Sequence, residues 1–182
     1  MSLIALPKRF LALLLLGLFA ASLGACGALP GKSDLEDKTV LTDQPVDKAQ
    51  MLSMINAYRQ QKGLPALRHD PELDVVSQKM ARHIAERDSM DTWAHSAFGL
   101  SQRLDKAGYA NYAGAENLGA GYADLAAAFR GWQGSEGHNK NLLNPYVTRV
   151  GIARTNRNNG KWRNFWVMTL SRPYADGRPT VR

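Results

Sequence analysis

The chain is poor in the residues that staple or catalyse by themselves. Of its 182 residues only Cys26 is a cysteine, so an intrachain disulfide is excluded and the fold must rest on its hydrophobic core. No H-E-x-x-H or C-x-x-C arrangement occurs, and spacing alone therefore fixes no metal centre. Internal repeats and low-complexity tracts are absent too, which excludes solenoids and arrays. Acidic residues are in deficit, with 16 Asp and Glu against 23 Lys and Arg, a formal charge of +7. An apolar content of 45% excludes a disordered chain.

What is present first is an export signal. Lys8 and Arg9 precede the apolar run Phe10 to Leu23, and Leu23-Gly24-Ala25-Cys26 follows. A basic start, an apolar stretch and small residues before a cleavage point make a secretory signal over residues 1–25. The small residues let a peptidase take the backbone into a narrow groove. Leu-Gly-Ala-Cys resembles the bacterial lipobox, which implies lipidation of the Cys26 thiol and a lipid-anchored protein at the cell envelope. Gly27 rather than Asp after Cys26 points to the outer membrane in a cell that has one. The rival is an uncleaved membrane helix, since Phe10 to Leu29 carries no charge and is long enough to span a bilayer. Removing residues 1–25 takes the charge from +7 to +5, a balance suited to anionic lipid, lipopolysaccharide or teichoic-type polymers. Nucleic acid carries the same charge, but export takes the chain away from it.

Residues 26–48 read as a solvated tether rich in Gly, Pro, Asp and Lys. A domain is expected over 49–174, with a tail over 175–182. Met51, Met54, Ile55 and Tyr58 recur at helical spacing, and Gly63 stops that helix. Asp70-Pro71-Glu72 predicts an N-cap, a first-turn Pro and an acid that complements the helix dipole. Leu73, Val76, Met80, His83 and Ile84 then form one face. Leu100 to Lys106 is a shorter helix, and Leu125, Ala128, Phe129 and Trp132 mark a fourth. Val150 to Thr155 is strand-like, and Asn159-Gly160 is a hairpin signal. Trp162 to Ser171 is apolar on both alternating sets (Trp162, Trp166, Met168, Leu170 against Phe165, Val167), as in a central strand covered on both sides. These elements predict an α+β fold, a three-layer α-β-α sandwich around a small, mostly antiparallel sheet.

Of the four histidines, His69 and His83 read as packing residues. His95 and His138 are expected in Gly- and Ser-containing loops beside helix ends, where sites form. Between them Ala115-Glu116-Asn117-Leu118-Gly119 is expected to present a carboxylate as it enters a Gly-rich turn. Gly134 and Gly137 around Ser135-Glu136 are expected to fold a tight loop that aims His138 inward. Two imidazoles with one or two carboxylates suit either a Zn²⁺-like site or a neutral His paired with a carboxylate as acid and base. The bland alternative is a hydrogen-bonded polar cleft.

Several segments together resemble the CAP superfamily of cysteine-rich secretory proteins, antigen-5 allergens and pathogenesis-related proteins, in its bacterial SCP-like branch. They are Ile55-Asn56-Ala57-Tyr58-Arg59, Leu64-Pro65-Ala66-Leu67, Asp70-Pro71-Glu72-Leu73, His95, Arg103-Leu104 and Ala107-Gly108-Tyr109. Glu116-Asn117-Leu118, Trp132, Ser135-Glu136-Gly137-His138, Asn141-Leu142-Leu143 and Val150-Gly151-Ile152-Ala153 complete the series, which covers about Gln50 to Arg172. The resemblance implies an α-β-α sandwich and a cleft of two His and two acids, sometimes occupied by zinc or another divalent cation. His95, Glu116 and His138 match three of the four. The fourth acid stands in many relatives where this chain has Ser135, so Glu136, one residue later, is the substitute.

Two functions follow. One is a binding module that holds a lipid, glycan or protein partner at the envelope. The other is a metal-assisted hydrolase in which zinc lowers the pKa of a bound water and Glu116 or Glu136 takes its proton. Ser135 is a nucleophile on paper, without a visible oxyanion hole or third member.

Overall fold

A computed structural model describes residues 38–180. The export signal, Cys26 and the first part of the expected tether lie outside these residues. The strands are Leu41–Gln44 (β1), Arg68–His69 (β2), Asn111–Ala120 (β3), Arg149–Arg157 (β4) and Asn164–Pro173 (β5). The helices are Lys48–Gln61 (α1), Pro71–Arg87 (α2), Ala97–Lys106 (α3), Leu125–Gln133 (α4) and Glu136–Leu142 (α5), with short 3₁₀ turns at Trp93–His95 and Tyr174–Asp176.

The sheet runs in the order β1-β4-β5-β3, and β2 pairs with β4. All pairings are antiparallel except that of β2 with β4. β5 lies inside the sheet, and its alternation shows how the layers are divided. Trp166, Met168 and Leu170 face a core built with Met51 and Ile55 of α1, Leu125, Phe129 and Trp132 of α4, and Leu142 of α5. Phe165 and Val167 face the opposite core with Met80, Ala81 and Ile84 of α2. Leu73 and Val76 of α2 then meet Leu100 and Leu104 of α3. Two apolar faces on one strand require a helical layer on each side, and the α-β-α sandwich follows. The unit from Lys32 to Arg182 thus has a core of its own, which is what a domain needs to fold independently.

Two local features set the helices. Asp70 caps α2 by accepting from the Glu72 amide at 3.0 Å, with Pro71 in the first turn. Gly151 of β4 lies under that turn, where a Cβ would collide with the backbone of Leu73 and Asp74. The missing side chain lets α2 sit directly on the sheet.

The structure corrects several expectations. Leu41–Gln44, read as tether, is a strand that pairs with β4 from Leu41↔Arg157 to Gln44↔Arg154. It has no apolar alternation because its hold is polar: Asp43 accepts from Arg82, Gln78 and Thr155. The first residues of the expected tail also belong to the fold, since the Asp176 side chain, 7% exposed, accepts from Arg68, Arg149 and Thr148. Ala115–Gly119, read as a loop, lies inside β3. Ala, Gly and Asn are poor strand formers, and continuous pairing with β5 overrides that preference. Trp162 precedes β5 and packs on the α2 side, not beside Trp166.

Candidate functional site

The site forms at an open edge of the sheet. β3 is the last strand in the order, so side chains from both helical layers can reach around it. Successive residues of a strand point to opposite faces. Glu116 accordingly turns to the α2–α3 layer, while Asn117 turns to α5.

The Glu116 side chain is only 2% exposed, and a buried carboxylate must be paired and hydrogen-bonded. Its Oε2 accepts from Arg103 Nη2 at 2.8 Å and from His95 Nδ1 at 3.1 Å. Its Oε1 accepts from the Thr169 hydroxyl at 3.5 Å, and that hydroxyl receives Ser77 Oγ of α2 at 2.8 Å. Arg103 Nε donates to Ala94 O at 3.2 Å, so one guanidinium fixes both Glu116 and the turn that carries His95. Thr92 and Ser96 cap the two ends of that turn region.

His95 is oriented by this carboxylate. An ionised carboxylate only accepts, so the bond places a proton on Nδ1 and turns Nε2 away from Glu116. His138 lies on α5, and α5 is lashed down from several sides. Asn117 Nδ2 donates to His138 O at 3.1 Å, and Asn141 Nδ2 donates to Glu116 O and to Asn117 Oδ1 at 2.9 Å. The buried Arg59 guanidinium donates to Leu142 O and Asn144 O at 2.9 Å, fixing the carbonyl end of α5. Burial pushes the His138 pKa below its ordinary value, and the nearby His95 pushes it the same way. His138 is therefore a neutral imidazole at physiological pH, half-buried beside His95.

The expected site residues divide. His95, Glu116 and His138 come together at the β3 edge. Glu136 does not join them: its side chain is 84% exposed and bonds Lys140 Nζ at 2.7 Å. The reason is helical phase. Glu136 and His138 are two residues apart on α5, and such positions do not share a face. Neither histidine sits in a loop: His95 ends the 3₁₀ turn, and His138 is inside α5. Nor do glycines aim His138, for Gly137 has open space where a Cβ would stand and Gly134 has an ordinary φ of −77°. Ser135 is the N-cap of α5, and its side chain makes no capping bond. His69 bonds Asp74 and His83 bonds Thr92, both in the packing role expected.

Sequence reasoning missed the role of Arg103. Its signal was indirect: a buried carboxylate needs a cation, and Arg103 stands between Leu100 and Leu104 on the helix that packs there. Arg103 also bears on the metal. Among the described residues no three His, Cys, Asp or Glu are gathered as a metal site. Glu116 already carries its cation as Arg103, and Glu136 faces solvent. The expected four-residue ligand set does not fit, and two imidazoles remain as open donors.

The uncharacterized protein YkwD of Bacillus subtilis is 23% identical over 135 residues, 73% of this chain and 52% of its own length. The uncharacterized membrane protein YlbC of the same organism is 31% identical over 110 residues, 60% of this chain and 32% of its own. The chain thus spans about half or less of these curated relatives. Among solved structures, an extracellular SCP-domain protein of Bacillus anthracis is 28% identical with a TM-score of 0.57, over 68% of this chain and 39% of that one. An outer surface protein of Borrelia burgdorferi shares the fold at 20% identity and a TM-score of 0.62, over 74% of this chain and 99% of its own. The profile of the CAP, or cysteine-rich secretory protein, family matches residues 52–170, from α1 into β5 and through every residue of the cleft, and the chain belongs to that family.

Proposed function

We propose that this CAP protein is exported, held at the cell envelope by a lipid on Cys26, and binds a ligand in the His95–Glu116–His138 cleft without turning it over. The observation that carries the binding reading is the state of Glu116. Both of its oxygens are engaged, by Arg103, His95 and Thr169, and Glu136 is in solvent. The carboxylate of the cleft is buried and paired with a cation, a poor state from which to take a proton from water, which a hydrolase of the kind expected requires. What the cleft offers is recognition: two imidazole nitrogens over a fixed, charge-compensated floor. Lipid, glycan and protein partners of the envelope are the ligand classes in question, and nucleic acid is outside them.

Export and surface location are supported by the basic and apolar N-terminus and by the relatives described as extracellular and outer-surface proteins. No helix among the described residues is long and apolar enough to cross a membrane. Cys26→Ala in the full chain should abolish lipid labelling and the mature membrane-bound form. Unchanged processing would favour the uncleaved helix.

One observation favours hydrolysis: a carboxylate-oriented imidazole whose Nε2 points away from that carboxylate has the form of a general base. The test is a panel of ester and peptide substrates, with and without added Zn²⁺, on wild type, His95→Ala and His138→Ala. The binding reading expects no turnover above the variants. Turnover lost in His95→Ala would overturn it. Calorimetric titration with Zn²⁺ on the same proteins tests the two imidazoles as metal donors, with retention in both variants as the result against them.

A further inference from the structure

We propose that the pocket at the far end of α3 from His95 is a second binding site, and that it takes an uncharged saccharide. The pocket measures about 450 Å³, inside the range of small-molecule sites, about 300–1,000 Å³. Its walls are Asp70 and Glu72 at the start of α2, Gly108 and Tyr109 after α3, Arg149 at the start of β4 and Tyr174 after β5. α3 has ten residues, so at about 1.5 Å of rise per residue roughly 15 Å of helix separates this pocket from the His95 turn.

Most of the pocket is fixed in place by the fold. Tyr109 Oη donates to Asp70 Oδ2 at 2.7 Å, and Asp70 Oδ1 accepts from the Glu72 amide at 3.0 Å. Arg149 is held by Asp176, which accepts from Nε and Nη2 at 2.8 Å. The Tyr174 amide donates to Ala110 O at 3.0 Å, and its ring leans on Tyr112 with centroids 4.4 Å apart. The Arg178 guanidinium covers Tyr112 at 5.7 Å, so Tyr174, 56% exposed, is the open ring of the pair. Two polar groups are left to a ligand. The exposed Glu72 carboxylate enters no hydrogen bond or ion pair among the described residues, and Arg149, with its side chain 24% exposed, keeps Nη1 unengaged there. Preorganised walls with a few convergent polar groups are what a small-ligand site requires.

The occupant follows from matching these groups. Asp70 and Glu72 only accept, and Arg149 only donates. A hydroxyl does both, so a ring bearing adjacent hydroxyls can answer all of them in one pose. The C–H face of a pyranose is flat and apolar, and Tyr174 supplies an aromatic wall for it. A peptide backbone offers the same donors and acceptors but has no such face. Charge sets this pocket apart from the chain as a whole. Against a formal +7 for the sequence, Asp70 and Glu72 face Arg149 alone, and Arg149 is already paired with Asp176. A phosphate, sulfate or uronate would meet two carboxylates, and like-charge contact is costly. The saccharide is therefore uncharged.

The test is nuclear magnetic resonance titration of nitrogen-labelled residues 32–182 with cellobiose and with N,N′-diacetylchitobiose, both uncharged and flat-faced. A heparin disaccharide supplies the anionic control, and a capped tetraglycine supplies peptide groups without a ring. At least one uncharged disaccharide should bind saturably and move the amide signals of Gly108, Tyr109 and Tyr174, while the His95 and His138 ring signals stay fixed. Tyr174→Ala should weaken binding about tenfold, the worth of one well-placed aromatic contact. Glu72→Gln should weaken it about fivefold, the difference between a charged and a neutral acceptor. Both side chains are exposed, so neither replacement disturbs the core. No binding of either disaccharide, or undiminished binding in both variants, would overturn the site. Heparin disaccharide or tetraglycine binding as tightly would overturn the ligand class. Movement confined to His95 and His138 would assign the sugar to the cleft and leave this pocket without it, so the two readings fail separately.

Discussion

Replacing Arg103 by Leu removes the cation from Glu116 while preserving most of the apolar volume on α3. Breaking a buried pair by deleting one partner costs about 3–5 kcal/mol, because the other charge stays buried and uncompensated. Glu116 meets that condition, with its side chain 2% exposed, whereas the Arg103 side chain is 20% exposed. His95 also keeps its contact with Oε2. Partial solvation and the surviving donor place the loss at the lower end, about 3 kcal/mol. Against a total stability of about 5–15 kcal/mol that is a large fraction. The assay is urea unfolding of residues 32–182 at neutral pH, followed by tryptophan fluorescence, with the denaturant slope checked against wild type. Glu116→Gln removes the charge and most of the reason for the cation, so Arg103→Leu/Glu116→Gln should lose less than the sum of the single variants by about 1–3 kcal/mol. A loss below about 1 kcal/mol for Arg103→Leu, the range of an exposed pair, would refute the account. So would strict additivity in the cycle.

Three more outcomes rest on single contacts. The Arg149 hydrogen bonds hold the Asp176 carboxyl well below the ordinary carboxylate range, with Thr148 and the charge of Arg68 adding to the effect. Its stabilisation is present above the unfolded pKa and is lost as pH falls towards the folded one. Asp176→Asn should therefore destabilise by about 2–3 kcal/mol at pH 7, and the gap should close below about pH 4; a gap independent of pH in urea melts would contradict this. His138 is held neutral by burial and by His95, so the unfolded chain binds its proton more readily and stability falls as pH drops below about 6.5. His138→Gln should flatten that part of the curve between neutrality and pH 5, and an unchanged slope would count against the assignment. Gly151→Ala places a methyl against the backbone of Leu73 and Asp74 and should cost about 1–3 kcal/mol; a thermal midpoint equal to wild type would show that α2 does not rest on that glycine.

Legibility in the sequence tracked the kind of force at each position. β5 could be read because both of its faces are apolar, and Asp70-Pro71 because a cap and a first-turn Pro are local chemistry. β3 could not, since its Ala, Gly and Asn carry no strand preference and its pairing comes from β5, far along the chain. β1 was hidden for the same reason, with Asp43 held by partners on α2 and β4. In the cleft, His95, Glu116 and His138 were legible from the order of their motifs. Glu136 was misplaced because a loop was expected where a helix forms, and helical phase turns it outward. Arg103 escaped because a buried cation is demanded by the carboxylate it meets, and only the folded chain shows that meeting.

A sheet ends in two rows of backbone groups, and each is a template on which a neighbouring chain can crystallise into a shared ladder. One border here is β1, only four residues long and carrying Asp43. At the other, the Asn141 amide occupies the Glu116 carbonyl and α5 lies alongside. Asn141 is thus an insulator as well as a brace. Molecules packed shoulder to shoulder on a surface would find the first border short and charged and the second stoppered at Glu116, in the middle of β3 and beside the cleft.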